Sequence, residues 1–263
     1  RLGISFQPSE VAKLGIILSF AAMISAFGEK METFRWGIAP FAAILAVIVV
    51  LLRLEPHNSA IVIIVCTAGA MLFLGGVKYR WFILGGLAML LGLILILGAG
   101  GYEASRITAW QDPFSDPTDD GYQIIQSLYA IGSGGLFGLG LGNGRQKYLY
   151  LPEEHNDYIF SIACEELGLA GAVGILILYS LLILRGYWIS MHIRDRFLSL
   201  TVAGITTLTA LQVFFNIGVV TNLLPSTGIS LPFFSYGGTA LLIQLGEMGI
   251  ILGASRQCSA GFL

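Results

Sequence analysis

Charge is what this chain has least of. Of its 263 residues only 11% are Asp, Glu, Lys or Arg, against roughly 25% in soluble domains. That shortage excludes a water-soluble globular domain, and it excludes disorder, which needs polar residues to keep the chain solvated. Basic residues are equally few: 14 Lys and Arg against 16 Asp and Glu leave a net charge of −2. A nucleic-acid partner held by a basic surface is therefore excluded. Cys66, Cys164 and Cys258 stand far apart with no CxxC, which argues against a disulfide framework or a thiolate metal site. No second histidine stands at ligand spacing from His57. The chain opens on Arg1 with no leader of the basic, apolar and small-residue type, so it reads as a fragment whose start has been removed.

What is abundant is apolar surface and glycine. Hydrophobic residues make up 56% of the chain, with 34 glycines besides, and the mean hydropathy is +0.80. A bilayer core takes about 20 apolar residues in a helix. Seven segments meet that length approximately: 11–27, 37–53, 58–76, 81–98, 158–184, 198–218 and 233–253. Several carry small residues four apart, the spacing that lets helices approach closely. The predicted fold is all-α, a polytopic membrane helix bundle forming one transmembrane domain over 1–263, with a large loop at 99–157.

Seven spans put successive connections on alternate sides. One side carries Lys30, Arg35, Lys78, Arg80, Arg185, Arg194, Arg196 and Arg256; the other side's short segments carry Arg1 and Arg53. Lys and Arg in short loops mark the cytoplasm, so the first side is predicted cytoplasmic and the loop 99–157 extracytoplasmic. Loops of that length usually have a function. It holds eight of the 16 acids, among them Asp157, and includes two Asp-Pro steps at 112–117. A short helix should follow at 121–131, with Ile124, Ile125, Leu128 and Ile131 on one face lying against the membrane surface. Seven glycines in 132–144 suggest a flexible strip.

Three constellations carry chemical interest. If Pro152 starts the fifth span's helix, Glu153 and Asp157 stand one turn apart beside His155. A carboxylate there suits proton abstraction from a sugar hydroxyl; acids in a first helical turn also simply complement the helix dipole. In QPSEVAK, Glu10 and Lys13 share a helix face at the edge of a span. They are either an internal ion pair or a cation held in an outward cavity, since a lone charge there costs about 2.5 kcal/mol or more. The uncharged loop from Pro225 to Gly238, with two prolines and three glycines, either lines a cavity or makes a tight turn. Glu165 and Glu166, inside the fifth span, read as helix–helix hydrogen-bonding partners rather than catalysts.

Taken together, QPSEVAK, DPFSDP, GYQIIQS, GSGGLFGLGLGNGRQKYLYLPEEHNDYIFSIACEELG and PSTGISLPFFSYGG resemble the signatures of the SEDS family (shape, elongation, division and sporulation). The match runs in order over nearly the whole chain, and LEPHNSA is more similar to the division and sporulation branch than to the elongation one. The resemblance implies a ten-helix fold whose fourth helix opens at QPSE, so that the seven spans here are helices four to ten. It implies a glycosyltransferase polymerising lipid II, an undecaprenyl-pyrophosphate-linked disaccharide peptide, at the outer face of the bacterial inner membrane. Implied partners are a class B penicillin-binding protein and other membrane proteins of the division or elongation machinery. The essential acid of the family falls on Asp157; Asn156 stands where threonine is common.

That reaction has plain requirements. A sugar hydroxyl is a poor nucleophile at neutral pH, so a positioned carboxylate must take its proton, the role expected of Asp157. The departing pyrophosphate gains negative charge, which cations in a dry site stabilise: Lys13, Arg106, Arg145 and Lys147 are candidates. Glu10, Glu153, His155, Ser235 and Gly237 complete the expected substrate-binding set. A divalent ion, Mg or Mn, could serve as well, although no ligand set is legible. A lipid flippase and a non-catalytic scaffold recruiting the synthase are the rival readings.

Overall fold

The computed structural model describes residues 7–55, 58–86, 102–115, 117, 121–146 and 156–259. Those residues are helical with irregular connections: α1 Pro8–Phe27, α2 Phe34–Gly37, α3 Ala39–Leu54, α4 Asn58–Leu74, α5 Tyr102–Gln111, α6 Tyr122–Ser133, α7 Ile159–His192, α8 Arg196–Val220 and α9 Gly238–Ser259. Residues 79–86 are also helical. Five helical stretches are long and apolar enough to cross a membrane: Pro8–Glu32, Phe34–Leu54, Ile159–His192, Arg196–Val220 and Gly238–Cys258. They match five of the seven predicted spans. The third, α4, is shorter at 17 residues. Of the fourth, 81–98, only 81–86 is described, and it is helical.

Two boundaries differ from expectation for identifiable reasons. The last span begins at Gly238 rather than 233, because Phe233 takes a positive φ of 66° that no helix tolerates. The fifth runs on to His192 but is broken at Gly168, with φ 67° and ψ −168°. The 169–192 stretch beyond that break is by itself long enough to span a bilayer.

The chain divides into two compact units. The first comprises residues 1–86, 181–211 and 237–263. Pro8 opens α1 at a first helical position, where its missing N–H costs nothing, and Gly28 at φ 54° stops it. Helix α1 packs on α4 and α9. Its Phe20 meets Phe41 of α3 edge to face at 4.8 Å. Close approach needs small residues: a Cβ on Gly204 of α8 would come within 2.7 Å of Ile17. Outward, Val47, Val50, Leu51 and Leu54 of α3 are exposed, a patch that in water would be a liability and in hydrocarbon is ordinary surface.

The second unit comprises residues 87–180 and 212–236. Its core gathers Tyr158, Phe160, Ile162, Val213, Val220 and Leu231. Helix α6 forms where the periodicity predicts it, with Ile124 and Ile125 buried. Its apolar face, however, lies on protein and not on a membrane surface: Ser127, fully buried, meets the Ser161 hydroxyl at 2.7 Å and donates to the Val220 carbonyl, also at 2.7 Å. A buried hydroxyl with two partners fixes that face inward more firmly than apolar contact alone.

The glycine strip is likewise not loose. The positive φ of Gly168 interrupts the helical ladder of α7, and the strip restores it. Leu139 and Gly140 donate to the carbonyls of Glu165 and Glu166 at 3.0 and 3.1 Å, while Leu169 and Ala170 donate to those of Gly135 and Leu136 at 2.9 and 3.0 Å. Backbone contact this close leaves no room for side chains: a Cβ on Gly138 would sit 2.1 Å from the Glu166 carbonyl oxygen. Glycine at these positions records a docking surface rather than flexibility.

Candidate functional site

Asn156, Asp157 and Tyr158 form a turn ahead of α7, whose helix begins at Ile159. Asp157 is therefore not inside a helix opened by Pro152, because the helical hydrogen bonds start only beyond Tyr158, whose carbonyl accepts Ser161 N–H at 3.0 Å. Instead, the turn is held from two sides by its own carbonyls. Asn216, buried in α8, donates through Nδ2 to the Asp157 carbonyl at 2.6 Å and to that of Ile229 at 2.8 Å. Ser235 donates to the Asn156 carbonyl at 2.7 Å and accepts the Leu231 N–H at 2.7 Å. Tyr179 of α7 donates to the Pro232 carbonyl. The uncharged loop is thus tied to the Asp157 turn through Asn216 and Ser235, and to the body of α7 through Tyr179.

A cation belongs to the same frame. Arg106, on α5, donates through Nη1 to the Ser226 carbonyl at 3.1 Å. Helix α5 is fixed there by a reciprocal pair, Trp110 Nε1 to the Asn222 carbonyl at 3.1 Å and Asn222 Nδ2 to the Trp110 carbonyl at 3.4 Å. Tyr158 reports how these groups converge. Only 2% exposed, its phenol is pushed up to about 12, chiefly by burial; Asp157 adds to the rise, and Ser226 and the Arg106 guanidinium oppose it. The Asp157 turn and the Arg106 guanidinium are thus both tied to the uncharged loop, the first through Ser235 and the second through the Ser226 carbonyl.

The other predicted site residues fall in different places. Glu10 and Lys13 belong to the first unit and form an ion pair at 2.7 Å, with side chains 9% and 7% exposed. Gly237 opens α9, its carbonyl accepting Leu241 N–H at 2.9 Å. Ser235 has its hydroxyl engaged with backbone on both sides, so it braces the loop. Arg145 is exposed on the glycine strip. Lys147, Glu153 and His155 lie outside the described residues. Glu165 and Glu166 meet loop amides: Glu165 accepts Arg145 N–H at 2.8 Å and Gln146 N–H at 3.2 Å, and Glu166 accepts Gly142 N–H at 3.1 Å. Among the described residues no three His, Cys, Asp or Glu side chains are grouped to hold a metal ion.

Sequence reasoning missed Asn216 and Tyr158. Asn216 had a legible signal, being an amide inside an otherwise apolar span, where polar side chains are costly and usually functional. Tyr158 had none, since an aromatic at a span edge is ordinary.

The fold and this frame define a polytopic helical membrane protein in which the turn at Asp157 and the side chain of Arg106 are both tied to one uncharged loop. The chain belongs to the FtsW, RodA and SpoVE family, described as cell cycle proteins, which matches residues 2–260. It is 42% identical over 252 residues to stage V sporulation protein E of Bacillus subtilis strain 168, covering 96% of this chain and 69% of that protein. It is 41% identical over 255 residues to a probable peptidoglycan glycosyltransferase FtsW of Geobacter sp. strain M18, covering 97% and 70%. Among solved structures it resembles a chain of a peptidoglycan synthase complex that coordinates polymerization and crosslinking, with a TM-score of 0.81 at 29% identity, over 97% of this chain and 71% of that one. It also resembles the rod shape determining protein RodA of Thermus thermophilus, with a TM-score of 0.65 at 29% identity, covering 97% and 68%.

Proposed function

We propose that this chain is a peptidoglycan glycosyltransferase that extends glycan strands from lipid II, with Asp157 as general base. The observation that carries this reading is the frame of Asp157. Its turn is held at its backbone carbonyls by Asn216 and Ser235, so the main chain sets where the residue stands. A base whose main chain is held by rigid surroundings is what proton abstraction from a sugar 4-hydroxyl requires. The hydroxyl oxygen attacks the anomeric carbon, the bond to the pyrophosphate breaks on the opposite face, and the centre inverts to a β-1,4 linkage. The hydroxyl proton passes to Asp157, and the bonding pair leaves with undecaprenyl pyrophosphate.

The charge gained by that leaving group is assigned to Arg106, with Arg145 and Lys147 as further cations of the same unit. Bidentate guanidinium contact suits phosphate oxygens better than a point charge does. No step is routed through a divalent ion. The basic asymmetry between the two sides supports an inner-membrane protein whose loop 99–157 faces outward. On that side the nascent strand would pass to a class B penicillin-binding protein within a division, elongation or sporulation assembly.

Purified full-length protein with its synthase partner, given preformed labelled lipid II in detergent, should make polymeric glycan. With no bilayer to cross and no other polymerase present, a flippase or a scaffold would leave the lipid unpolymerised, and that result would overturn the reading.

A further inference from the structure

The glycine strip turns its backbone toward protein and leaves its large side chains outside. The N–H groups of Gly138, Leu139, Gly140 and Asn143 reach carbonyls, and those of Gly142, Arg145 and Gln146 reach the carboxylates of Glu166 and Glu165. Gly134 and Gly144 are buried. Between them Leu136, Phe137, Leu139 and Leu141 are exposed, Phe137 at 83% and Leu141 at 77%. A solvent loop usually shows the reverse, with polar side chains and amides left to water. Irregular backbone near hydrocarbon is tolerated only when protein satisfies it, and here α7 supplies much of what a helix would supply to itself.

The strip also joins α7 where that helix becomes membrane surface. Leu169 and Ala170, which donate to the Gly135 and Leu136 carbonyls, open the apolar stretch beyond the Gly168 break, in a helix long and apolar enough to cross a bilayer. From there Leu169, Val173, Leu176 and Ile177 are exposed at the spacing of a single helical face, the face that lipid covers in a spanning helix. The exposed leucines and phenylalanine of the strip continue that apolar surface at its upper end. The sequence is consistent with it: residues 121–144 contain no Asp, Glu, Lys or Arg, and the charge resumes at Arg145, which is exposed. Tyr129, exposed on α6, is of the residue type that gathers where headgroups begin. A surface with no charge offers a polar partner nothing to pair with, whereas hydrocarbon asks for none.

We propose that Leu136, Phe137, Leu139 and Leu141 anchor this part of the large loop in the bilayer, their side chains entering the acyl chains at the hydrocarbon boundary while the strip's backbone stays bonded to α7. Apolar faces that lie in this zone reach about 5–10 Å into the headgroup and acyl boundary. The anchor works without a helix of its own, because the break at Gly168 exposes backbone groups of α7 that the strip can use. Its occupant is lipid hydrocarbon, and the inference does not depend on the glycosyltransferase reading.

The test is spin-label accessibility in the full-length, otherwise cysteine-free protein, assembled with its synthase partner in phosphatidylethanolamine–phosphatidylglycerol nanodiscs. Nitroxides are attached through Phe137→Cys and, separately, Leu141→Cys. Val173→Cys on the exposed face of α7 is the lipid reference and Ser115→Cys the aqueous one. Collisions with molecular oxygen, which concentrates in hydrocarbon, and with a water-soluble nickel chelate, which is excluded from it, are measured at each site. Labels at 137 and 141 are expected to shift with the 173 label: oxygen collisions above those at 115, and chelate collisions below. Both side chains project from the protein, so their exchange leaves the packing beneath untouched; should one variant not accumulate, the other decides. A label at either position that follows 115 would put the strip in water and overturn the proposal. Shielding from both reagents would overturn it as well, by showing that a protein surface and not lipid covers the strip.

Discussion

In the proposed reaction Asp157 depends on what its neighbours do for it. Asn216 and Ser235 take the carbonyls of the turn, so exchanging the carboxylate for an amide leaves the backbone frame in place. Asp157→Asn is therefore expected to fold, reach the membrane and bind its synthase partner, while polymerisation of lipid II falls by about 10²–10⁴ as the general base is lost. Were Asp157 only a complement to the dipole of α7, the same change would cost about 0.3–1 kcal/mol of stability and leave turnover near normal. A gel assay of glycan length at equal expression separates the two. Asp157 itself was legible from its acid-rich surroundings at a span edge and from the family motif. Its frame was not, because Asn216 lies 59 residues further along the chain and Ser235 lies 79 residues beyond Asn156, and no local pattern reports a partner that distant.

At the scale of the element, α1 and α7 show two ways of carrying charge within an apolar helix. In α1 the charge is compensated one turn away, Lys13 to Glu10 at 2.7 Å. Spacing alone brought the two residues to one face, so this pair was legible. Breaking a buried pair by deleting one partner costs about 3–5 kcal/mol, whereas replacing both is often nearly neutral. Lys13→Ala should therefore lower membrane accumulation and thermal stability, and adding Glu10→Ala should restore most of both. Failure of the double variant to recover, measured by detergent melting, would show that Lys13 has a duty beyond its partner. In α7 the carboxylates of Glu165 and Glu166 meet backbone amides of a docked loop. Glycine content predicted mobility for that loop. Composition misled there for a physical reason: the same absence of side chains that frees a chain in solution lets its backbone reach another backbone, as Gly138 does against Glu166.

At the scale of the whole molecule, topology is the property that the proposed chemistry depends on. Ser115 is exposed, in a short turn where its hydroxyl donates to the Asp112 carbonyl at 2.7 Å, and a cysteine there should be accessible to reagent. In an otherwise cysteine-free full-length protein, Ser115→Cys is expected to react with a membrane-impermeant thiol reagent in intact spheroplasts. Labelling only after lysis would reverse the orientation and remove the proposed site from the outer face. Residence in a membrane, the helical class and most span positions were determined by the sequence alone, because the transfer of side chains from water to hydrocarbon adds up residue by residue along a segment. The helical periodicity of α6 was determined in the same way. Only the tertiary structure decided that the face of α6 packs on protein, that the glycine strip repairs a broken helix, and that the Asp157 turn is braced by Asn216 and Ser235. Those outcomes rest on hydrogen bonds between segments far apart in the chain, whose partners are chosen by how the helices pack and not by anything in the residues beside them.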